Sequence, residues 1–194
     1  DVGSSNLRLC QLGSAADGVY PVLARSSLAF SESRDELLDS PGLLKEKLRA
    51  AMRGCGFRGK RVVTCLPPDR VRFTPISLKV DEQNLSRVIL KMIADRVEGD
   101  IDDYVVDYLP VRTSADAEDR LALAAVARRD HVMSYLEALD NAGLEVEALD
   151  IGPAAIRRVL SSLYDNEGDG DIILVVNTGT THTYLSVIAG RRLL

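Results

Sequence analysis

Apolar residues along the chain fall into two alternating kinds of pattern. Leu43, Leu44, Leu48 and Met52 recur at helical offsets behind Pro41, and the stripe stops near Gly54. Leu85, Val88, Ile89, Met92, Ile93 and Val97 repeat the pattern, with Asp81 as the expected N-cap. So do Val132, Met133, Leu136 and Leu139, ahead of Asn141-Ala142-Gly143, where glycine suits a left-handed C-cap. A fourth stripe, Ile156, Val159, Leu160 and Leu163, follows Pro153. Between the stripes lie short apolar or alternating runs that predict strands: 5–12, 19–30, 62–66, 71–80, 104–111, 121–127, 144–149, 172–176 and 183–189. The run 62–66 is apolar enough to be buried on both faces, and Pro67-Pro68 cuts it off. This is an α/β pattern. Residues 69–146 within it read β-α-β-β-α-β, the order of a ferredoxin-like module with a core from Leu85, Ile89, Met92, Ile93, Val132, Leu136 and Leu139.

One phrase is written twice. Asp1-Val2-Gly3-Ser4-Ser5 and Asn177-Thr178-Gly179-Thr180-Thr181 each run an acid or amide, a spacer, a glycine and two hydroxyl residues into a strand-like stretch. Glycine lets backbone approach an anion closely, and consecutive N–H groups with hydroxyls donate to phosphate oxygens. A single copy is also an ordinary turn. Two copies in register predict matching hairpins in a duplicated fold, an organisation that resembles the actin, sugar-kinase and chaperone ATPase superfamily.

Composition narrows the function classes. The 194 residues are 46% hydrophobic and 27% charged, enough to build one large core or two small ones. A net charge of -5 argues against nucleic-acid binding. No apolar run approaches the roughly 20 residues of a membrane-spanning helix. Cys10, Cys55 and Cys65 lack metal spacing and read as small core residues in a reducing setting. His131 and His182 read as surface residues, and Arg128-Arg129, Arg157-Arg158 and Arg191-Arg192 as solvated pairs. The cluster Asp100, Asp102, Asp103 and Asp107 lacks the glycine and closing glutamate of a calcium loop and reads as a solvated acidic turn. The chain opens on Asp1, not Met, and stops at Leu193-Leu194 in what reads as the second strand of a new hairpin, so the expectation is a piece of a longer protein.

Three segments together resemble the PilM family of type IV pilus assembly proteins, relatives of the cell-division actin homologue FtsA. They are the opening Asp1–Ser5, the stretch from Leu66-Pro67-Pro68 through Ile76-Ser77-Leu78 to Val106-Asp107-Tyr108, and the runs Ala127–Val132, Asn141–Val146 and Asp150–Ala155. The resemblance implies an actin-like (ribonuclease H-like) fold with a truncated second half. Residues 1–68 with 147–170 would be subdomain IA, 69–146 the inserted ferredoxin-like subdomain IC, and 171–194 the start of IIA. It implies a cytoplasmic adaptor, peripheral at the inner membrane, that takes a short cytoplasmic peptide of an inner-membrane partner along Arg70, Arg72, Phe73 and Ile76; a half-buried strand is the plain alternative there. It leaves room for a homo-oligomer. It also implies ATP with Mg in the full-length protein, held by Asp1, Gly3, Ser4, Ser5, Asn177, Gly179, Thr180, Thr181 and Thr183, with none expected on this chain alone. Asn177 stands where the family carries Asp; an amide has no charge and cannot act as a base, which puts hydrolysis in doubt. No catalytic residue is assigned. An active ATPase, an exopolyphosphatase-type phosphohydrolase and a type II secretion scaffold are the alternatives.

Overall fold

A computed structural model describes residues 1–15, 19–79, 84–111, 119–163, 172–181, 183–189 and 192–193. The chain divides into two compact units, Asp1–Pro67 with Met133–Leu149, and Pro68–Val132 with Asp150–Leu194.

In the first unit β1 (Asn6–Leu12) pairs antiparallel with β2 (Val22–Ala29). Helix α1 (Arg34–Asp39) follows, fixed by a capping box in which Ser33 Oγ accepts from the Glu36 amide and Glu36 accepts from the Ser33 amide at 2.8 Å. The S-x-x-E spacing of Ser33 and Glu36 is the local signal for this helix start. Helix α2 (Pro41–Met52) starts on its proline as expected and buries Leu44, Leu48 and Ala51. Lys47 on α2 reaches back to Glu32 at 2.8 Å and so ties down the loop before α1. Strand β3 (Arg61–Cys65) completes the first run.

The second unit opens with β4 (Arg72–Lys79) and α3 (Leu85–Ala94). The expected cap Asp81 lies outside the described residues, and Asn84 takes a left-handed conformation (φ 67°) just before the helix. Strands β5 (Tyr104–Val111) and β6 (Asp119–Arg128) pair antiparallel, and β4 pairs with β6. Ile76 and Leu78 of β4, Ala122, Ala124 and Val126 of β6, and Ile89 and Ile93 of α3 form the core. The small alanines leave room for the two isoleucines. A ten-residue helix is marginal in isolation, so this packing supplies its stability; each fully buried isoleucine contributes roughly 1.5–3 kcal/mol.

Helix α4 (Arg129–Asn141) ends as read: Gly143 adopts φ 95°, its amide donates to Asp140 O at 2.8 Å, and the Leu144 amide donates to Leu139 O at 3.0 Å. Its burial partners differ from the expectation. From Met133 onward α4 belongs to the first unit, where Tyr135 is buried with its hydroxyl 2.9 Å from Thr64 Oγ1. Leu139 is buried and Leu136 half-buried, but neither joins the core under α3. Strand β7 (Glu145–Asp150) likewise pairs with β3. The order β4-β6-β5 fits a ferredoxin-like module, but the fourth strand of that module is therefore in another sheet.

Helix α5 (Gly152–Leu163) carries Pro153 in its first turn, and Arg158 pairs with Asp150 before it. The linker expected at 166–170 lies outside the described residues. Strands β8 (Ile172–Thr178) and β9 (Thr183–Ala189) form a hairpin, and β10 (Arg192–Leu193) joins it to β5, giving the order β4-β6-β5-β10-β9-β8. Alternation along the hairpin leaves Ile172, Leu174, Val176 and Leu185 exposed. The cysteines depart from expectation: Cys10 is exposed, and Cys55 and Cys65 are half-buried.

Truncating Ile89→Ala should destabilise the protein by roughly 2–5 kcal/mol, since the alanine floor cannot rise to fill the void; denaturant unfolding measures this. The hydrogen bond from Lys47, and then local backbone donors, lowers the Glu32 carboxyl from 4.5 to about 2. Because the folded value is depressed, the stability from this pair is complete above about pH 4.5 and is lost as pH falls through about 2. Unfolding curves of the parent and Lys47→Met should therefore differ at neutral pH and converge across that window.

Candidate functional site

The duplicated phrase forms two turns that close in one register. In the first, Val2 bridges Leu7, Asp1 and Arg8 exchange both backbone hydrogen bonds at 2.9 Å, and the Gly3 amide donates to Asn6 O at 3.0 Å. In the second, Thr178 pairs with Thr183 and Asn177 with Tyr184. Each turn thus joins its second residue to the one five places on, and its first to the one seven places on. The expectation of matching hairpin turns agrees with the observed backbone. The two turns lie in different units.

A Cβ at Gly3 would sit 3.0 Å from the Asn6 carbonyl oxygen, so any larger residue would have to push this tight turn open. Ser4 and Ser5 are half-buried beside it, and Asn6 Nδ2 donates to Ser5 Oγ at 3.0 Å. The Asp1 carboxylate is exposed and bonds Arg8 Nη1 at 3.2 Å. In the second turn Asn177, Gly179, Thr180, Thr181 and Thr183 are all exposed, while His182 lies outside the described residues.

The predicted partner strand has a more definite setting. A cleft of about 640 Å³ opens beside the start of β4, entirely within the second unit. Arg70 and Arg72 line it, joined by Arg96, Arg128 and His131, against Asp69 and Glu98. Arg96, Arg128 and His131 were missed as a group because they come from three separate elements. Backbone acceptors hold the walls together: Arg72 Nη2 donates to Arg96 O at 2.9 Å, Arg96 Nη1 to Pro75 O at 3.0 Å, and Tyr104 Oη to Glu98 O at 2.9 Å. Arg128 grips Asp130 through Nε and Nη2, at 2.9 Å for the closest contact. That pairing holds the Asp130 carboxyl below its ordinary value and raises the Arg128 guanidinium. Arg129, read as solvated, is exposed yet donates to Asp102 O and Tyr104 O.

Two of the four predicted partner residues do not line this cleft. Phe73 is half-buried on the strand, and Ile76 is 0% exposed in the core, so Ile76 has no surface to offer a peptide. The alternation of β4 turns it inward, the face opposite to that expected. The acidic cluster is a local capping arrangement: Asp100 accepts from the Asp102 amide and Asp107 from the Tyr108 amide. Among the described residues no group of His, Cys, Asp and Glu side chains is gathered as a metal site.

Comparison with known proteins identifies what this arrangement resembles. A family model described as type IV pilus assembly protein PilM matches residues 1–194. The chain is similar to a solved chain of the PilM-PilN type IV pilus biogenesis complex, with a TM-score of 0.79 and 23% identity over 100% of this chain and 58% of that one. It is also similar to the cytoplasmic domain of EpsL, an inner-membrane component of the type II secretion system of Vibrio cholerae, with a TM-score of 0.52 and 15% identity over 98% of this chain and 64% of that one. At these identities the likeness is one of fold, and the chain spans less than two thirds of either. No curated protein sequence matches it significantly.

Replacing Gly3 with Ala should destabilise the first unit by roughly 1–3 kcal/mol, the usual range for forcing atoms into filled space. For a chain of this size the melting temperature should fall by about 2–4 °C per kcal/mol. An unchanged melting temperature would mean that the turn is looser than described.

Proposed function

The chain belongs to the type IV pilus assembly protein PilM family, whose model spans all of it, and we propose that it acts as an actin-like adaptor receiving a short cytoplasmic segment of an inner-membrane partner. The cleft at Arg70 and Arg72 supports this reading most directly. Four arginines and a histidine face two carboxylates there, so the lining favours a segment that presents carboxylates or backbone carbonyls. Arginine forks suit such acceptors, and an extended peptide supplies them at regular spacing. PilM in the matched structure comes from a complex with PilN, which fits a partner of this kind. A cytoplasmic position at the inner membrane follows from the same reading. Among the described residues no helix is long and apolar enough to cross a membrane.

Nucleotide has a secondary place in the proposal. Taken each by itself, the hydroxyls of Ser4 and Ser5 beside Gly3 in the first turn, and those of Thr180, Thr181 and Thr183 beside Gly179 in the second, fit phosphate oxygens by donor type. Asn177 is a weaker partner for the metal than a carboxylate: its carboxamide oxygen is neutral and the group cannot take a proton. Asp1 would have to exchange Arg8 for a metal-bound water. Phosphate held at either turn would be bound without turnover.

Two measurements test these readings. Reversing both charges with Arg70→Glu and Arg72→Glu in the full-length protein should cut recovery of the membrane partner at least tenfold in co-purification, with the circular dichroism spectrum retained. Undiminished recovery would contradict the cleft assignment. Calorimetric titration of Mg-ATP into the 194-residue chain should show weak or no binding and no phosphate release. Asn177→Asp should raise metal-dependent binding in the full-length protein and not in residues 1–194. Multiple turnovers by this chain would favour the enzyme instead.

A further inference from the structure

The first unit gathers positive charge in a chain that is acidic as a whole. Residues 45–61 hold seven lysines and arginines and one acid, Glu46, although the net charge of the chain is -5. Lys45 and Arg49 stand four residues apart on one side of α2, and Arg53 caps its end. Arg58 and Lys60 follow in the loop to β3. Two of the seven are committed locally, Lys47 to Glu32 and Arg61 to Glu147. Among the described residues no carboxylate pairs with Arg49, Arg53, Arg58 or Lys60, and all four are exposed. A solvated face ordinarily interleaves both signs, and this one does not. The loop turns through Gly54, Gly56 and Gly59, at φ of 73°, 78° and 83°, with open space where a side chain would stand.

This loop lies against an apolar tip. Leu12, Tyr20, Val22 and Leu23, at the closing end of the β1–β2 hairpin, are each more than half exposed. The Gln11 side chain ties the loop to that end, donating to Arg58 O at 2.8 Å and accepting from the Arg58 amide at 2.9 Å. Cys55 shares a cleft of about 420 Å³ with Val22, Leu23, Ala24 and Arg25 of β2. The Gly13 amide donates to Pro21 O at 2.8 Å, which holds the tip in shape.

We infer that this face of the first unit docks on an anionic bilayer surface, with the hairpin tip entering the interface and the loop cations on lipid phosphates. Apolar residues flanked by Lys and Arg suit that boundary, because the apolar groups leave water while the cations meet headgroups at the same depth. Tyr20 fits it too, with an apolar ring and a polar hydroxyl. A nucleic acid would satisfy the cations but offer no apolar phase to Leu12, Val22 and Leu23. A second copy would cover the tip, but a two-fold pairing of this face brings two loops of like charge together. The inference goes beyond the partner reading and does not rest on it: the tip and loop lie in the first unit, the arginine cleft in the second.

Flotation of the full-length protein with vesicles, in the absence of any membrane partner, tests this. Vesicles of equimolar phosphatidylglycerol and phosphatidylcholine should carry the protein, less so as salt is raised, and vesicles of phosphatidylcholine alone should not. At the usual attraction of one basic side chain to an anionic surface, Arg53→Gln with Arg58→Gln should weaken binding about thirtyfold. Arg53→Lys with Arg58→Lys should retain it, since the interaction asks for charge and not for a planar fork. Leu23→Ser should weaken binding while leaving every cation in place. All three sites are exposed, and the circular dichroism spectrum checks that each variant is folded. Equal carriage by neutral vesicles, or undiminished binding by either the glutamine pair or Leu23→Ser, would overturn the inference. So would equally strong binding to double-stranded DNA, or a dimer that Leu23→Ser breaks in a protein that no vesicle carries.

Discussion

The seating of α3 on the alanine floor of β6 is the contact on which the second unit depends. Ile89 and Ile93 are each 1% exposed, over Ala122 and Ala124. Larger residues on the strand would lift the helix, and smaller ones on the helix would leave a void. This packing also sets where the chain emerges after Ala94. Val97 and Ile101 pack back against the same core, so Arg96 and Glu98 are held near Arg72 and Tyr104. The cationic cleft is in this sense an outcome of the core: its walls are backbone carbonyls and arginines that the helix has brought into register.

Electrostatics then decides what the cleft can accept. The whole chain carries a net charge of -5, yet the cleft gathers arginines from four places in the sequence. Two of them, Arg72 and Arg96, already donate to backbone carbonyls, so those forks are oriented before any partner arrives. That lowers the ordering cost of recognising an extended segment. Arg128 is committed to Asp130, and Arg70, Arg72 and Arg96 line the cleft with it. These contacts are surface-exposed, so their contribution lies more in orientation and encounter rate than in raw affinity.

Much of this organisation was legible in the chain itself. Proline starts for α2 and α5, the glycine end of α4, the stripe on α3 and both hydroxyl turns all follow from local residue types. Local signals act within a few residues, and those elements needed nothing more. Misreadings came where a choice between distant partners decided the outcome. β7 reads the same whether it pairs with β4 or β3, and α4 reads the same whichever core it covers; the Glu145 amide donating to Lys60 O and Tyr135 meeting Thr64 distinguish them. Ile76 was placed at a binding surface because period-two alternation does not reveal which face is inward. The cleft was only half visible, since Arg70 and Arg72 are neighbours in sequence while Arg96, Arg128 and His131 meet them through folding.

The central claim is that the partner's cytoplasmic segment lies in this cleft. Amide hydrogen exchange of the full-length protein, with and without a synthetic peptide of that segment, tests it most directly. The account predicts new protection confined to residues 68–72 and 96–104, weakening as salt is raised. Protection at β8 and β9 with the cleft unchanged, or binding indifferent to salt, would contradict it.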